Sequence, residues 1–329
     1  MLLFALFLII RTGSEETIPD SILVFTKMPA AENHLAGGSE NVPPDYKEAR
    51  IVSLNYENPE SGIKNLTSDF YSATSPSLSF DNQLIVFSAK VNQNDSWQIW
   101  TMNLDGSAKK KVFESSKNCY TPSFLPTGDI VFSCEIEDPE IGKTYPLFKI
   151  LEDGSGLNQL TFHPHRDFYP SILYDGRIAI ISQQFYPTKK SRQFMVLRPD
   201  GTKSQAFYHD QSDSQIKSTV RESREDKLIF VQGDGNVDEL VVLSYANPLL
   251  PKEIIATYDA GAIQSAGILD STRLVISAKS GSEGVFGLSA ISFKGDEELI
   301  YKDEGYHSVQ PVVVRKQKST QKVAIFNFR

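Results

Sequence analysis

One short pattern, met six times along the chain, limits what it can fold into. Residues 74–88 read Thr-Ser-Pro-Ser-Leu-Ser-Phe-Asp-Asn-Gln-Leu-Ile-Val-Phe-Ser. Residues 121–133 read Thr-Pro-Ser-Phe-Leu-Pro-Thr-Gly-Asp-Ile-Val-Phe-Ser, and 169–182 read Tyr-Pro-Ser-Ile-Leu-Tyr-Asp-Gly-Arg-Ile-Ala-Ile-Ile-Ser. Weaker copies run from Ser218-Thr219 into 228–231, from Ala266-Gly267 into 274–277, and from Gln310-Pro311 into 323–326. Taking 76, 122, 170, 219, 267 and 311 as the common position, the successive spacings are 46, 48, 49, 48 and 44. Each unit then adds a second pair of short apolar or alternating strands, joined in three copies at Asp105-Gly106, Asp153-Gly154 and Asp200-Gly201. Asp-Gly between short strands marks a hairpin, because glycine accepts the positive φ of a tight turn. Four short strands in a period of roughly 40–50 residues is the signature of a propeller blade. No stretch sustains a helical period, so the expected fold is all-β: a six-bladed β-propeller with four-stranded antiparallel blades.

The ends suggest how the ring closes. The first unit begins at Ile22-Leu-Val-Phe25, continues at 50–54 and ends at 63–67, with no opening strand of its own. Val309-Gln-Pro-Val-Val-Val314 has no third or fourth strand after it, so the C-terminal strand is expected to complete the first blade and remove the free sheet edges. The segment 323–328 is then one strand more than the ring needs.

These repeats resemble the PD40 units of TolB-like (WD40-like) propellers: Pro-Ser, strand, turn, strand, and a later Leu-Asp-Gly turn ahead of Leu-Thr. The resemblance spans roughly 20–329 and is most specific in the second to fourth units. The stretch 160–177, Leu-Thr-Phe-His-Pro-His-Arg-Asp-Phe-Tyr-Pro-Ser-Ile-Leu-Tyr-Asp-Gly-Arg, is also similar to the propeller region of hydrazine synthase α-type proteins. Those enzymes need haem, and no Cys-x-x-Cys-His occurs in this sequence. The resemblance therefore implies the fold and not the activity, and no cofactor is assigned.

Residues 1–10, Met-Leu-Leu-Phe-Ala-Leu-Phe-Leu-Ile-Ile, are too few to span a bilayer, which takes about 20 apolar residues, but they match the apolar core of a signal peptide. The expected organisation is a signal-like segment and linker over 1–20 and a propeller over 21–329, in a periplasmic or secreted protein with no membrane span. A formal charge of −8 argues against nucleic acid, which needs a basic face to displace phosphate counterions. The short run Lys109, Lys110 and Lys111 reads as a blade edge guarded by lysines.

Catalytic motifs are missing. The sequence has no Gly-x-Ser-x-Gly, no phosphate-cradling loop and no His-Glu-x-x-His. The favoured reading is an exported, non-catalytic binding or scaffolding propeller. Its partner, a protein or peptide, would sit on the face formed by the second-to-third-strand loops and the inter-blade connectors. Those loops are long at 28–49 and intermediate at 135–144 and 183–191, and long polar loops on a rigid scaffold commonly carry binding.

Two alternatives remain: an enzyme with a metal or small-ligand site in the central channel, and the propeller part of a larger redox assembly. Residues just ahead of the repeated position would line the channel mouth, giving Asn118, His165, Arg166, Asp167, Gln215, Gln264 and His307 as ligand-binding candidates. For Arg166 and Asp167 the structural alternative is to bond neighbouring connectors and hold blades together. His163, His165 and His307 are the metal candidates, on residue type alone.

Cys119 and Cys134 are the two cysteines. A two-residue turn at Pro126-Thr127 opposes them directly, since 119 + 134 equals 125 + 128. A three-residue Pro-Thr-Gly loop instead sets Cys119 against Glu135. The pair is thus a possible disulfide or two buried thiols.

Overall fold

The structure, a computed structural model, describes residues 21–30, 46–140, 142–163, 165–183, 192–208, 214–223, 225–248, 250–281 and 284–314. The signal-like segment, most of the 28–49 and 183–191 loops, and the segment 323–328 lie outside these residues.

Six antiparallel sheets form a ring. Blade 1 orders its strands Tyr306–Val314, Ile22–Pro29, Arg50–Asn55 and Ile63–Asn65 from axis to rim, so the C-terminal strand closes the ring as the repeat count requires. Blade 2 is built from Ser72–Leu78, Leu84–Lys90, Gln98–Asn103 and Lys110–Phe113. Blade 3 uses Cys119–Phe124, Ile130–Cys134, Leu147–Ile150 and Asn158–Gln159, and carries an extra hairpin, Ile136–Asp138 with Gly142–Thr144. Blade 4 comprises Arg166–Ile172, Ile178–Gln183, Arg192–Leu197 and Gln205–Tyr208.

Blade 5 departs from the plan. Its inner strand is split into Gln215–Ile216 and Arg221–Glu222, both paired to Lys227–Gly233, with Val237–Ser244 and Glu253–Asp259 outside. Blade 6 returns to rule with Ile263–Ile268, Arg273–Ala278, Gly287–Ser292 and Glu297–Tyr301.

The apolar runs are explained by where each blade is sandwiched. Side chains alternate across a strand, so a middle strand with neighbours on both faces must be apolar at every position. In Leu84–Lys90, Ile85, Phe87 and Ala89 pack toward blade 1 while Val86 packs toward blade 3. In Lys227–Gly233, Leu228 and Phe230 face blade 4, and Ile229 and Val231 face blade 6. One apolar cluster fills each of the six blade interfaces, including that between blades 6 and 1, where Leu23 and Phe25 meet Val275 and Leu288. The outermost strands are polar, as edges must be. Lys110 and Lys111 lie on one of them, with Lys109 just ahead paired to Asp69 at 2.8 Å.

The Asp-Gly turns have a second purpose beyond their φ. A Cβ on Gly154 (φ 90°) would lie 2.6 Å from the carbonyl oxygen of Val112 in blade 2, and one on Gly201 (φ 84°) 2.6 Å from that of Leu160 in blade 3. Each turn is pressed against the outer edge of the preceding blade, and only glycine leaves the room.

The two cysteines form a disulfide. The turn is the three-residue kind: Leu125 N–H donates to Asp129 O at 2.7 Å, and Phe124 and Ser123 pair with Ile130 and Val131. That register alone would put Cys119 opposite Glu135. A bulge between Tyr120 and Ser123, with Thr121 at φ 49°, removes one residue from the count and sets Cys119 opposite Cys134, Cα atoms 4.1 Å apart. The free-thiol alternative fails because a bulge, invisible to turn counting, restored the pairing.

Candidate functional site

That bulge is a repeated device. The residue immediately before the repeated proline is left-handed in four blades: Ser75 (φ 57°), Thr121 (49°), Tyr169 (54°) and Gln310 (56°). Non-glycine residues pay of order 1–3 kcal/mol for such a conformation, so the surroundings must hold it. Ser75 N–H donates to Gln310 Oε1 (2.9 Å), Gln310 N–H to Ser265 Oγ (3.2 Å), and Tyr169 N–H to Thr121 Oγ1 (3.3 Å). Bulged backbone in one blade is therefore bonded to the axial side chain of its neighbour. Gln310 is the clasp of this ring, its Oε1 also accepting from Thr26 Oγ1 at 2.9 Å and Thr74 Oγ1 at 2.8 Å.

All six blades meet at these positions around an axial pocket. Pro76, Pro122, Pro170 and Pro311 give it an apolar collar, and blade 5 contributes Lys217 and Arg221. Among the described residues no carboxylate side chain lines it. Asp238 stands behind Lys217, fully buried, and bonds its ammonium group and, at 2.8 Å, the Gly261 N–H that leads into blade 6.

Of the seven ligand-binding candidates, only Gln264 lies on the pocket wall. Its Oε1 is buried there and has no hydrogen-bond partner. The others sit three to five residues ahead of the repeated position, at the blade connectors. Asn118 Oδ1 accepts from Trp97 N–H at 3.0 Å while its Nδ2 donates to Glu135 Oε2 at 3.0 Å. Gln215 Oε1 accepts from Arg192 N–H at 2.6 Å. His307 Nδ1 accepts from Phe286 N–H at 3.1 Å, and burial lowers the imidazole's pKa.

Asp167 is fully buried between blades 3 and 4. Its N–H donates to Tyr145 O and its carbonyl accepts from Ser133 Oγ. Burial raises its carboxyl pKa against the opposing pull of His163, whose Nε2 is 3.4 Å away. The Arg166 guanidinium stands 5.7 Å from the Tyr145 ring, and Tyr145 N–H donates to His165 O. The histidine rings at 163 and 165 lie 4.5 Å apart. Among the described residues, however, no three His, Cys, Asp or Glu side chains are placed to share a metal ion, so His163, His165 and His307 do not form the proposed set.

The axis is nearest where the strand bulges, at and beside the proline itself, rather than at the connectors that hold most of the candidates. The left-handed residues were hidden in plain view as the x of each x-Pro. A residue before proline is ordinarily extended, which gives no hint of a bulge.

On the connector face, the hairpin 136–144 is anchored by Glu135, nearly buried and paired with Lys143 Nζ at 2.9 Å. Tyr145, at its base, bridges the blade 3 to blade 4 connector. That connector carries Phe162, 78% exposed, the most exposed of the large apolar side chains among the described residues.

Fold and axial wall together define a six-bladed β-propeller. No family model matches the chain. It is similar to hydrazine synthase subunit alpha of Kuenenia stuttgartiensis, 23% identical over 370 residues that take in 90% of this chain and 45% of the relative. The solved Kuenenia stuttgartiensis hydrazine synthase superposes with a TM-score of 0.75 at 20% identity, over 90% of this chain and 46% of that one. TolB from Acinetobacter baumannii superposes at 0.65 and 12% identity, over 90% and 67%. A chain of a nidogen/laminin complex does so at 0.60 and 10%, over 87% and 96%. The chain thus spans about half the length of the hydrazine synthase subunit it matches. Among the described residues no helix is long and apolar enough to cross a membrane.

Proposed function

We propose that this protein is an exported binding or scaffolding propeller that engages a protein partner through its connector face. The observation that carries the reading is the exposure of Phe162 on the connector that Tyr145, next to the inserted hairpin, bonds. A large aromatic ring is held in water on a connector that is itself bonded to the residue following a blade insertion. Exposed aromatic side chains on rigid supports are typical anchors of protein interfaces. Two of the similar propellers, those of the hydrazine synthase and the nidogen/laminin complex, occur in protein assemblies. The reading is tested by placing a photo-crosslinking residue at position 162 and, in a parallel variant, at Leu299, which is exposed on the outer strand of blade 6. A discrete adduct from 162 and none from 299 in the native cell supports it; equal or absent crosslinking at both overturns it.

A second reading is favoured by the likeness over nine-tenths of the chain to less than half of the hydrazine synthase subunit. Here the propeller is one part of a larger redox assembly. Co-purification with a haem-bearing polypeptide, recorded by its absorbance, separates this reading from a stand-alone scaffold.

A further inference from the structure

The repeat is obeyed at the axis by four blades through x-Pro and by blade 6 through Ser265, and it is broken in blade 5. There Lys217-Ser218-Thr219-Val220-Arg221 replaces the proline bulge, the inner strand divides, and the two residues flanking the break that reach the pocket are cationic. Departures from an otherwise consistent local rule tend to mark functional sites. In a chain of net charge −8, an axial wall with two cations and, among the described residues, no carboxylate side chain is the reverse of what overall composition supplies.

We infer that the axial pocket binds the carboxylate of a small, partly apolar acid against Lys217, Arg221 and Gln264. Lys217 is fixed by Asp238, which uses one of its three N–H donors and leaves two for a ligand. Arg221 adds the planar, multi-donor geometry that matches a carboxylate. Gln264 brings a buried amide whose oxygen lacks a partner. Turning the amide over would present its NH₂ to an anion instead. The proline collar and Ala266 supply apolar contact for the rest of the molecule, as small-ligand sites pair apolar walls with a few placed polar groups. The same carboxylate could arrive as a free acid or as the C-terminus of a peptide. The inference stands on the pocket wall alone and does not depend on the connector face.

The test is calorimetric titration of the full chain with benzoate, with benzamide as its neutral counterpart, and with a short hydrophobic peptide ending in either a free carboxylate or an amide. Benzoate is expected to bind at least about tenfold more tightly than benzamide, since the distinguishing contacts are charge-assisted. Preference for the free-carboxylate peptide over benzoate assigns the source to a partner's terminus, and the opposite order assigns it to a free acid. Arg221→Gln is expected to weaken the preferred carboxylate ligand by about tenfold or more, and Leu299→Ser to leave it unchanged. Equal binding of benzoate and benzamide, or no carboxylate binding up to about 10 mM, overturns the inference. So does an Arg221→Gln variant that binds as the unaltered chain does. If Arg221→Gln does not fold, the charged-against-neutral comparison on the unaltered chain decides the question.

Discussion

Replacing Gln310 with methionine keeps the length and most of the volume of the side chain while deleting its amide. The change removes one acceptor shared by three donors: Thr26 Oγ1 in blade 1, and Thr74 Oγ1 and Ser75 N–H in blade 2. It also removes the weaker contact from Nε2 to Ser75 Oγ at 3.3 Å. A neutral hydrogen bond contributes about 1 kcal/mol net, and a stranded buried donor costs about 1–3 kcal/mol. The two hydroxyls can rotate toward other acceptors, but the N–H of left-handed Ser75 cannot. The expected loss is therefore about 2–3 kcal/mol rather than the full sum of three bonds. For a chain of this size that lowers the midpoint of thermal unfolding by about 3–4 °C. Urea unfolding followed by the fluorescence of Trp97 and Trp100 measures it. The proper comparison is Gln264→Met at the same axis, because Gln264 Oε1 has no donor to lose. A Gln310→Met loss below about 0.5 kcal/mol, the size of an ordinary surface substitution, or one no larger than that of Gln264→Met, would refute the idea that this residue clasps the ring.

Other consequences can be measured on the same unfolding curves. Asp238→Ala strands the Lys217 ammonium and the Gly261 N–H and should cost about 3–5 kcal/mol, whereas Asp238→Asn retains an acceptor and should cost less. Gly154→Ala should destabilise clearly more than Gly176→Ala. Both residues have positive φ, but a Cβ at 154 meets the Val112 carbonyl while one at 176 meets nothing within 4 Å; equal effects would show that conformation alone matters there. Reducing the Cys119–Cys134 disulfide, which closes a separation of 15 residues, should lower stability by about 3 kcal/mol in the chain-entropy view. The Cys119→Ser, Cys134→Ser double variant should be insensitive to reductant.

Acidification should also destabilise the fold. The carboxyl pKa values of Asp105, Asp153 and Asp200 are lowered by the hydroxyl and N–H of Ser107, Ser155 and Thr202, and that of Asp303 by the Lys27 ammonium. A folded pKa below the unfolded one gives stability that is present at neutral pH and lost as pH falls through the carboxylate range. His307, lowered by burial, adds a loss that starts as pH drops below the ordinary histidine value of 6.5, and Asp167, raised by burial, opposes the trend. The urea midpoint should be level from pH 8 to 7 and then decline, most steeply near pH 4; a midpoint that rises on acidification would contradict the assignment.

The number of blades, the order of their strands and the closing strand were legible in the chain because they rest on local physics. Asp105-Gly106 and its copies turn hairpins, Ile85-Val86-Phe87 is apolar on both faces because a blade lies on each side, and the spacing of the prolines counts the units. The axial wall was legible only in part, through Gln264. Asn118, Asp167 and His307 were chosen for their chemistry at the right end of the right strands, and they turned out to stitch connectors. The axis is instead lined by residues around the proline, carried there by left-handed bulges at Ser75, Thr121, Tyr169 and Gln310 that no residue type announces. The same bulge decided that Cys119 meets Cys134. A sequence specifies which residues prefer to pair, but a one-residue shift in register redirects every side chain beyond it. Only the closed ring, whose neighbouring blades supply the bonds that hold each bulge, determines where those shifts fall.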